Sequence, residues 1–500
     1  MISQETQDRQ ATIRFALAVA FLYIATFVVA RILVPGARFD DGEILQHAQV
    51  WAAGYHTRNP PLYEWLTMAL FSVGGVHLWL EQALRLTLQA ATVGAAYALA
   101  RKKQLSPAAS AAAALLPLTV IYIYMRRIDQ NTHTTITGLC YMLMPLAFWA
   151  VRERGSWLRH LGLGVVMGCG LLSKHLFALY MLSGALAALA WPETRAALLS
   201  RRMLAALLVA GLMALPHYLW LLHLGASAFD AEVEKVASNK GHVAEGRAWA
   251  GFKNLLQYAL RGTLLPMAVA GVLFLGGALF RGGSRARDPD VSWLSWTVLG
   301  TLLLYTAAIL IVGIARVRPH HFVFLAPLAV SVLARARAAD GLACENRLRW
   351  LARFSYGFAV ACLIYFGVAT WRDVKGCDPC GGYVDYPGLA QRLREAGFSR
   401  GAIFYTAGIS ALNVPVLRES FPDSRTAQWP ADPALAAGGD CALLSLADDP
   451  RLAALRADSG ALPPALAARL SKPDAFQAPM RPRPVPGPTV QFIVAPHCGQ

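Results

Sequence analysis

The chain has 500 residues, of which 56% are hydrophobic and only 15% are charged. Soluble domains carry roughly 25% charged residues, so this composition argues against an ordinary soluble protein and indicates a polytopic membrane protein. The formal net charge of +16 could suit nucleic acid. However, the Arg and Lys residues cluster in short loops between apolar blocks, as in membrane proteins, so we expect no nucleic-acid partner.

Long apolar blocks fill most of the first 370 residues. A membrane span needs roughly 20 apolar residues, and on that criterion the sequence predicts about eleven transmembrane helices. The predicted spans are Phe15–Val34, Leu80–Ala100, Pro107–Tyr124, Thr134–Ala150, Leu161–Leu172, Leu176–Trp191, Met203–Leu224, Leu255–Phe280, Val291–Gly313, Phe322–Ala334 and Phe354–Thr370.

The basic residues lie in alternate loops, which fixes a predicted orientation. If the count of spans is right, these loops share one side, and the positive-inside rule assigns that side to the cytoplasm. We therefore expect a cytoplasmic N-terminus and place the region after Trp371 on the opposite side of the membrane. The basic loops are Arg101–Lys103, Arg152–Arg159, Arg195–Arg202, Arg281–Arg287 and Arg335–Arg349.

The first outer loop, residues 35–79, concentrates polar residues beside the first span. Asp40, Asp41 and Glu43 lie within four residues. Three carboxylates so close to a span are costly in lipid, so we expect them at its surface or facing a wet cavity. Helical spacing of apolar residues further predicts short interfacial helices over Glu43–Tyr55 and Pro61–Gly75.

The composition changes after Thr370, where Pro, Gly, Asp and Arg become frequent and no span follows. We predict two domains, a transmembrane domain over residues 1–370 and a small α/β domain over residues 371–500. The tract Lys472–Pro488 is rich in Pro and is predicted to be a loop. Strands are predicted at Ala402–Thr406, Cys441–Leu446 and Val490–Val494, and helices at Tyr386–Ala396, Pro433–Ala437 and Asp449–Arg456.

Four of the 8 cysteines lie in the C-terminal domain. They are Cys377, Cys380, Cys441 and Cys498. In an oxidising compartment two disulfides are expected, although the pairing is not determined. A zinc site at Cys377 and Cys380 is the alternative, but no second Cys-x-x-Cys accompanies this pair.

Three motifs, taken in order, resemble glycosyltransferase family 39. An Asp-Asp-x-Glu group follows the first span, a Pro-Pro-Leu-Tyr comes at Pro60–Tyr63 of the same loop, and a Ser-Lys lies at an outer helix end. The family includes bacterial aminoarabinose transferases for lipid A and protein O-mannosyltransferases. The resemblance covers Phe15–Ala334. It implies a mainly α polytopic membrane protein of GT-C type with an extracytoplasmic active site, which moves a sugar from a polyprenyl phosphate to an acceptor hydroxyl.

The resemblance also implies which carboxylates are catalytic. Asp40 and Asp41, with Glu43 beside them, match the acidic group that holds the essential carboxylate of the family, and Asp129 matches the acidic position of the second outer loop. One of them would act as general base towards the acceptor hydroxyl. Two simpler alternatives stay open: Asp40 and Asp41 cap a helix that begins near Glu43, and Asp129 pairs with neighbouring arginines.

The leaving phosphate needs positive charge that is already in place. Lys174 matches the family lysine that meets the lipid-linked phosphate, and Arg318, His320 and His321 resemble the basic turn before a late span. Arg58 in the first loop could assist. As alternatives, Lys174 snorkels at a helix end and the two histidines pack at the interface.

The first loop departs from the family pattern, which commonly reads Glu-Lys-Pro-Pro or His-Pro-Pro where this chain has Arg58-Asn59-Pro60-Pro61. The residue that can help bind a divalent metal is therefore missing, and the metal stays open. The acceptor would be lipid A, another envelope glycolipid, a glycan or a protein.

Two other functions fit a similar architecture. A flippase for lipid-linked sugars would need ionisable residues near the middle of its spans, and these spans are nearly free of charge. A glycan ligase or polymerase would use a pyrophosphate donor and would need more outer arginines.

Overall fold

The computed structural model describes most of the chain, and its described residues form two compact units. The helical unit comprises Met1–Tyr23, Ala52–Tyr63 and Leu86–Leu363, and the sheet unit comprises Ile24–Trp51, Glu64–Arg85 and Ile364–Gln500. The described residues are 4–34, 36–124, 131–237, 244–260, 288–314, 317–340, 342–373, 381–406, 412–430, 439–457, 462–480, 485–496 and 498.

Helices dominate the described part of the first 373 residues, and the long ones follow the apolar blocks of the sequence. A 3₁₀ helix, Pro319–Leu325, precedes α13. The α-helices are α1 Gln4–Leu33, α2 Phe39–His47, α3 Leu62–Gly74, α4 Leu78–Lys102, α5 Pro107–Tyr124, α6 Thr132–Glu153, α7 Trp157–Leu171, α8 Phe177–Ala188, α9 Pro192–Leu198, α10 Arg201–Ala237 with a break at Gly225, α11 Ala244–Ala259, α12 Pro289–Val312, α13 Leu328–Asp340 and α14 Leu342–Asp373.

Six segments within the described residues are long and apolar enough to cross a membrane, which confirms the mainly α, polytopic fold class. This is fewer than predicted because α7 and α8 are short and α4 carries charged residues in its first and last turns. The predicted span Leu255–Phe280 lies largely outside the described residues. The six segments are Gln4–Leu33, Thr132–Glu153, Arg201–Gly225, Pro289–Val312, His320–Ala338 and Cys344–Arg372.

Helices α7 and α10 of the helical unit pack closely through glycines of α7. A Cβ atom at Gly164 would lie 2.5 Å from the carbonyl oxygen of Ala206, and one at Gly168 would lie 2.8 Å from the sulfur of Met213. Small residues of this kind let two apolar helices approach without a hydrophobic driving force from water. The contact fixes the end of α7 that leads to Lys174.

The C-terminal part of the sheet unit contains a five-stranded sheet in the order β2-β1-β3-β5-β4. Strand β1 pairs in parallel with β2 and β3, whereas β5 is antiparallel to β3 and β4. The elements are α15 Tyr386–Glu395, β1 Gly401–Tyr405, a 3₁₀ helix Val414–Glu419, β2 Arg425–Gln428, β3 Asp440–Leu446, α16 Pro450–Ala457, α17 Pro464–Ala467, β4 Asp474–Met480 and β5 Val485–Ala495.

The sequence located three of the five strands and two helices of this region, but the Pro-rich tract was wrongly predicted to be a loop. It contains β4 and the start of β5. Strand β4 is an edge strand and its pairing shifts register between Gln477 and Pro479, which are the two circumstances in which a sheet tolerates proline. The predicted helix Pro433–Ala437 lies outside the described residues.

A disulfide between Cys441 and Cys498 joins β3 to the end of the chain. It lies in the core on one side of the sheet, with Phe404 and Leu443 among its neighbours. One of the two expected disulfides is therefore present, and the structure gives its pairing. Cys377 and Cys380 lie outside the described residues, so the second stays a prediction.

Candidate functional site

The acidic group of the first outer loop lies on helix α2 of the sheet unit. Asp40 and Asp41 are both in its first turn, where the helix dipole stabilises negative charge. Glu43 follows one turn from Asp40, so these two side chains share a face of the helix. The structure thus brings together the three predicted carboxylates, but it gives them different surroundings.

Helix α2 does not match the predicted segment Glu43–Tyr55, because it begins earlier and ends at His47. The reason lies far along the chain. The guanidinium of Arg418 donates hydrogen bonds to the carbonyl oxygens of Leu45 and Ala48, at 2.9 and 3.3 Å. These carbonyls would otherwise accept from the next helical turn, so the helix stops there.

Asp41 is completely buried and is held by fixed partners. Its carboxylate forms an ion pair with Arg85 of α4, which is itself only 1% exposed, and accepts the backbone N–H of Arg38 at 3.2 Å. Arg85 also lies 3.6 Å from the carboxylate of Glu81. Asp41 therefore closes the first turn of α2 and neutralises a buried arginine, which is close to the capping role considered from the sequence.

Asp40 is half-buried, and so is Glu43 on the same helix face. Asp40 thus retains access to solvent that Asp41 lacks. A carboxylate with such access can exchange a proton with a bound hydroxyl. Protonation of a buried carboxylate in an ion pair would leave its cationic partner buried without a compensating charge, which is costly in free energy.

Sequence analysis missed a further buried carboxylate in this unit. Glu64 in the first turn of α3 is fully buried, and its carboxylate lies 3.3 Å from Nδ1 of His47 at the end of α2. Burial raises the pKa of Glu64, and the hydrogen bond and positive charge of His47 oppose the shift. The available signal was the presence of an acid at the start of an apolar helix, because such a group needs a polar partner.

The helical unit holds most of the predicted cations in one place. Lys174 follows α7 directly, with its backbone N–H bonded to the carbonyl of Gly170 at 3.2 Å. Lys174 and Arg318 both lie close enough to His320 and His321 to interact with them electrostatically. These four predicted residues therefore form one basic cluster at the ends of α7 and of the 3₁₀ helix that precedes α13.

Two histidines that the sequence did not single out as site residues hold the middle of the first outer loop. His175 Nε2 lies 3.1 Å from the carbonyl of Thr57, and His217 Nδ1 lies 3.0 Å from the carbonyl of Ala53. The two rings stack at 5.6 Å. Burial lowers the pKa of His175, the hydrogen bond to Thr57 opposes the shift, and the charge of Lys174 adds to it.

Arg58 lies on this anchored loop and is exposed. The loop packs tightly against α10, because a Cβ atom at Gly54 would overlap the ring of Trp220. Asp129 lies outside the described residues, so its catalytic role stays a prediction.

A family model described as dolichyl-phosphate-mannose-protein mannosyltransferase matches residues 58–220. Two curated proteins of Rhizobium johnstonii are similar over much more of the chain. The lipopolysaccharide core galacturonosyltransferase RgtA is 30% identical over 433 residues, which cover 82% of this chain and 83% of that protein. The lipopolysaccharide core galacturonosyltransferase RgtB is 25% identical over 379 residues, which cover 73% of this chain and 74% of that protein.

Solved structures share the fold over nearly the whole chain. The crystal structure of ArnT from Cupriavidus metallidurans bound to undecaprenyl phosphate gives a TM-score of 0.57 at 15% identity, covering 95% of this chain and 97% of that chain. The same protein in the apo state gives 0.58 at 14% identity, covering 97% and 98%. At such low identity the likeness concerns the fold alone.

Proposed function

This chain belongs to glycosyltransferase family 39, the polytopic membrane glycosyltransferases of GT-C type, and we propose that it transfers a galacturonic acid residue from a polyprenyl phosphate to lipopolysaccharide. The observation that carries the proposal is the 30% identity to RgtA over 82% of this chain. The chain is a membrane glycosyltransferase, and this finding supports the transferase over the flippase. The matched relatives are also transferases rather than glycan ligases or polymerases.

Asp40 is the general base in this proposal. Asp40 is half-buried on α2, whereas Asp41 is engaged by the buried Arg85. As the acceptor hydroxyl oxygen bonds to the anomeric carbon of the donor, its proton passes to Asp40. Glu43 lies on the same helix face and supplies a second acceptor for hydroxyl groups of the sugars.

The basic cluster of the helical unit binds the phosphate. The bond between the anomeric carbon and the phosphate oxygen breaks with its electron pair left on the phosphate, which gains negative charge. Lys174 and Arg318 supply positive charge that is in place before this happens, and His320 and His321 donate further hydrogen bonds. A single displacement of this kind inverts the anomeric centre.

We further propose that the chain lies in the bacterial inner membrane with its N-terminus in the cytoplasm. The positive-inside pattern supports this orientation. The domain of residues 371–500 is then periplasmic, and the lipopolysaccharide acceptor binds from the periplasmic side. A disulfide at Cys441 and Cys498 is consistent with an oxidising compartment.

The test is mass spectrometry of lipopolysaccharide from a deletion strain restored with variants. Wild type should restore an increment of one hexuronic acid residue that the deletion strain lacks. Asp40→Asn should lower transfer by about 100-fold or more, the usual contribution of a general base. Lys174→Ala should lower transfer as well, because the leaving phosphate loses its cation.

Asp474→Asn is the matched control, since Asp474 is an exposed acid on strand β4 and should restore the increment fully. Full restoration by Asp40→Asn would rule out its role as base. If the deletion leaves lipopolysaccharide unchanged, the proposed acceptor is wrong.

A further inference from the structure

Within the sheet unit, helix α2 is held at both of its ends by residues more than 300 positions away in the sequence. The attachments lie in three places: at the carbonyl end of α2, along the sheet edge and just before the helix begins.

Arg418 makes the attachment at the carbonyl end. Its side chain is only 7% exposed, and its Nη1 donates to the carbonyls of Leu45 and Ala48. A helix leaves its last carbonyls without backbone partners and carries partial negative charge there, so a buried guanidinium satisfies both demands. Burial lowers the pKa of Arg418 to about 10, which still leaves it charged at neutral pH.

Two glutamines attach the end of α2 to the edge strand β2. The amide nitrogen of Gln46 donates to the carbonyl of Thr426 at 2.8 Å, and the backbone N–H of Thr426 donates to the side-chain oxygen of Gln49 at 2.8 Å. The hydroxyl of Tyr405 in β1 donates to the oxygen of Gln46 at 3.3 Å. The side-chain amides thus pair with the backbone N–H and C=O of Thr426, as a neighbouring strand would.

The backbone just before α2 is held as well. The side-chain amide of Asn413 donates to the carbonyl of Ala37, and Arg38 Nη2 donates to the hydroxyl of Tyr383 at 3.3 Å. Asn413 is fully buried and stands directly before the 3₁₀ helix that carries Arg418. The segment Asn413–Arg418 therefore forms hydrogen bonds with the backbone at both ends of α2.

We propose that Arg418 is a positioning residue for glycosyl transfer, which holds helix α2, and with it Asp40, in the orientation that the reaction needs. The inference rests on the proposed function, because it takes Asp40 to be the base. A base displaced by about 1 Å can lose about 100-fold in rate, so an anchor remote from the chemistry acts mainly on kcat.

The experiment compares Arg418→Gln with Arg418→Lys and with the control Arg469→Gln in the full-length protein. Arg469 follows α17 and donates to the carbonyl of Val494 in β5 at 2.8 Å, so its hydrogen bond does not involve α2. Backbone hydrogen exchange over α2 should rise at least tenfold in Arg418→Gln. In the transfer assay its kcat should fall at least tenfold with an unchanged KM for the donor.

Arg418→Lys should recover part of both effects, because it keeps the charge, and Arg469→Gln should show neither. Gln49→Ala is the second variant if Arg418→Gln fails to accumulate, and it should raise exchange at the same helix. Wild-type exchange over α2 in Arg418→Gln, or in Gln49→Ala where that variant replaces it, would overturn the proposal.

The readouts also separate this inference from the function it rests on. Faster exchange with undiminished kcat would overturn the positioning role, while leaving transfer itself established. Loss of the transfer assay in wild type would overturn the proposed function, and the exchange data would still report whether Arg418 holds α2.

Discussion

At the scale of single residues, the adjacent acids Asp40 and Asp41 have opposite environments. Asp41 is buried against Arg85, whereas Asp40 is half-buried at the start of the same helix. Sequence reasoning found the pair but could not separate its members. The separating partner lies 44 residues away on another helix, and burial at that distance depends on packing rather than on any local pattern.

The ion pair predicts a double-mutant cycle. Asp41→Asn removes the nearer of the two carboxylates beside the buried Arg85, and breaking a buried ion pair in this way typically costs about 3–5 kcal/mol. Arg85→Gln should be similarly harmful, and the double variant should lose much less than the sum. The measurement is the thermal unfolding midpoint in detergent, with Asp40→Asn as the control that should unfold like wild type. A wild-type midpoint for Asp41→Asn would contradict the structural role.

At the scale of elements, the sequence predicted α3, the strands β1, β3 and β5 and most of the long helices, because apolar periodicity is a local property. It misplaced the ends of α2 and missed β4. In both cases the deciding contacts come from elsewhere: Arg418 ends α2, and pairing with β5 makes a strand of a Pro-rich tract. Tertiary contacts of this kind can override the local preference of a segment for helix, strand or loop.

The contact between α2 and α3 predicts a pH dependence. Burial raises the pKa of Glu64 above its ordinary value of 4.5. The folded protein keeps this proton over a pH range in which the unfolded chain has lost it, so stability falls as pH rises from about 4.5 through the folded pKa. Glu64→Gln should flatten that profile of unfolding midpoints, whereas Glu193→Gln, at an exposed acid of α9, should keep it. Parallel profiles for Glu64→Gln and wild type would refute the assignment.

At the scale of the whole molecule, fold class and enzyme class follow from the sequence with little help. Long apolar blocks, basic loops and three ordered motifs predict a GT-C glycosyltransferase, and the comparisons with RgtA and ArnT agree. The structure brings four of the predicted cationic residues together, since Lys174 and Arg318 both interact electrostatically with His320 and His321. Its contact with phosphate stays a prediction.

The orientation of the molecule can be tested with reporter fusions. Alkaline phosphatase is active only outside the cytoplasm, so a fusion after Gln500 should be active. A fusion after Lys103, in the first basic loop, should be inactive, and the reverse pattern is expected for a fluorescent protein that folds in the cytoplasm. An inactive phosphatase after Gln500 would invert the topology and remove the periplasmic placement of the C-terminal domain.

The glutamine contacts of α2 have one more consequence, which concerns neighbouring molecules. An edge strand presents open N–H and C=O groups that can pair with a strand of another chain. On β2 these groups of Thr426 are already occupied by Gln46 and Gln49 of the same chain. The contact that ties an acidic helix to a sheet therefore also closes this position to intermolecular strand pairing, so one set of hydrogen bonds protects the protein from aggregation at the edge it stabilises.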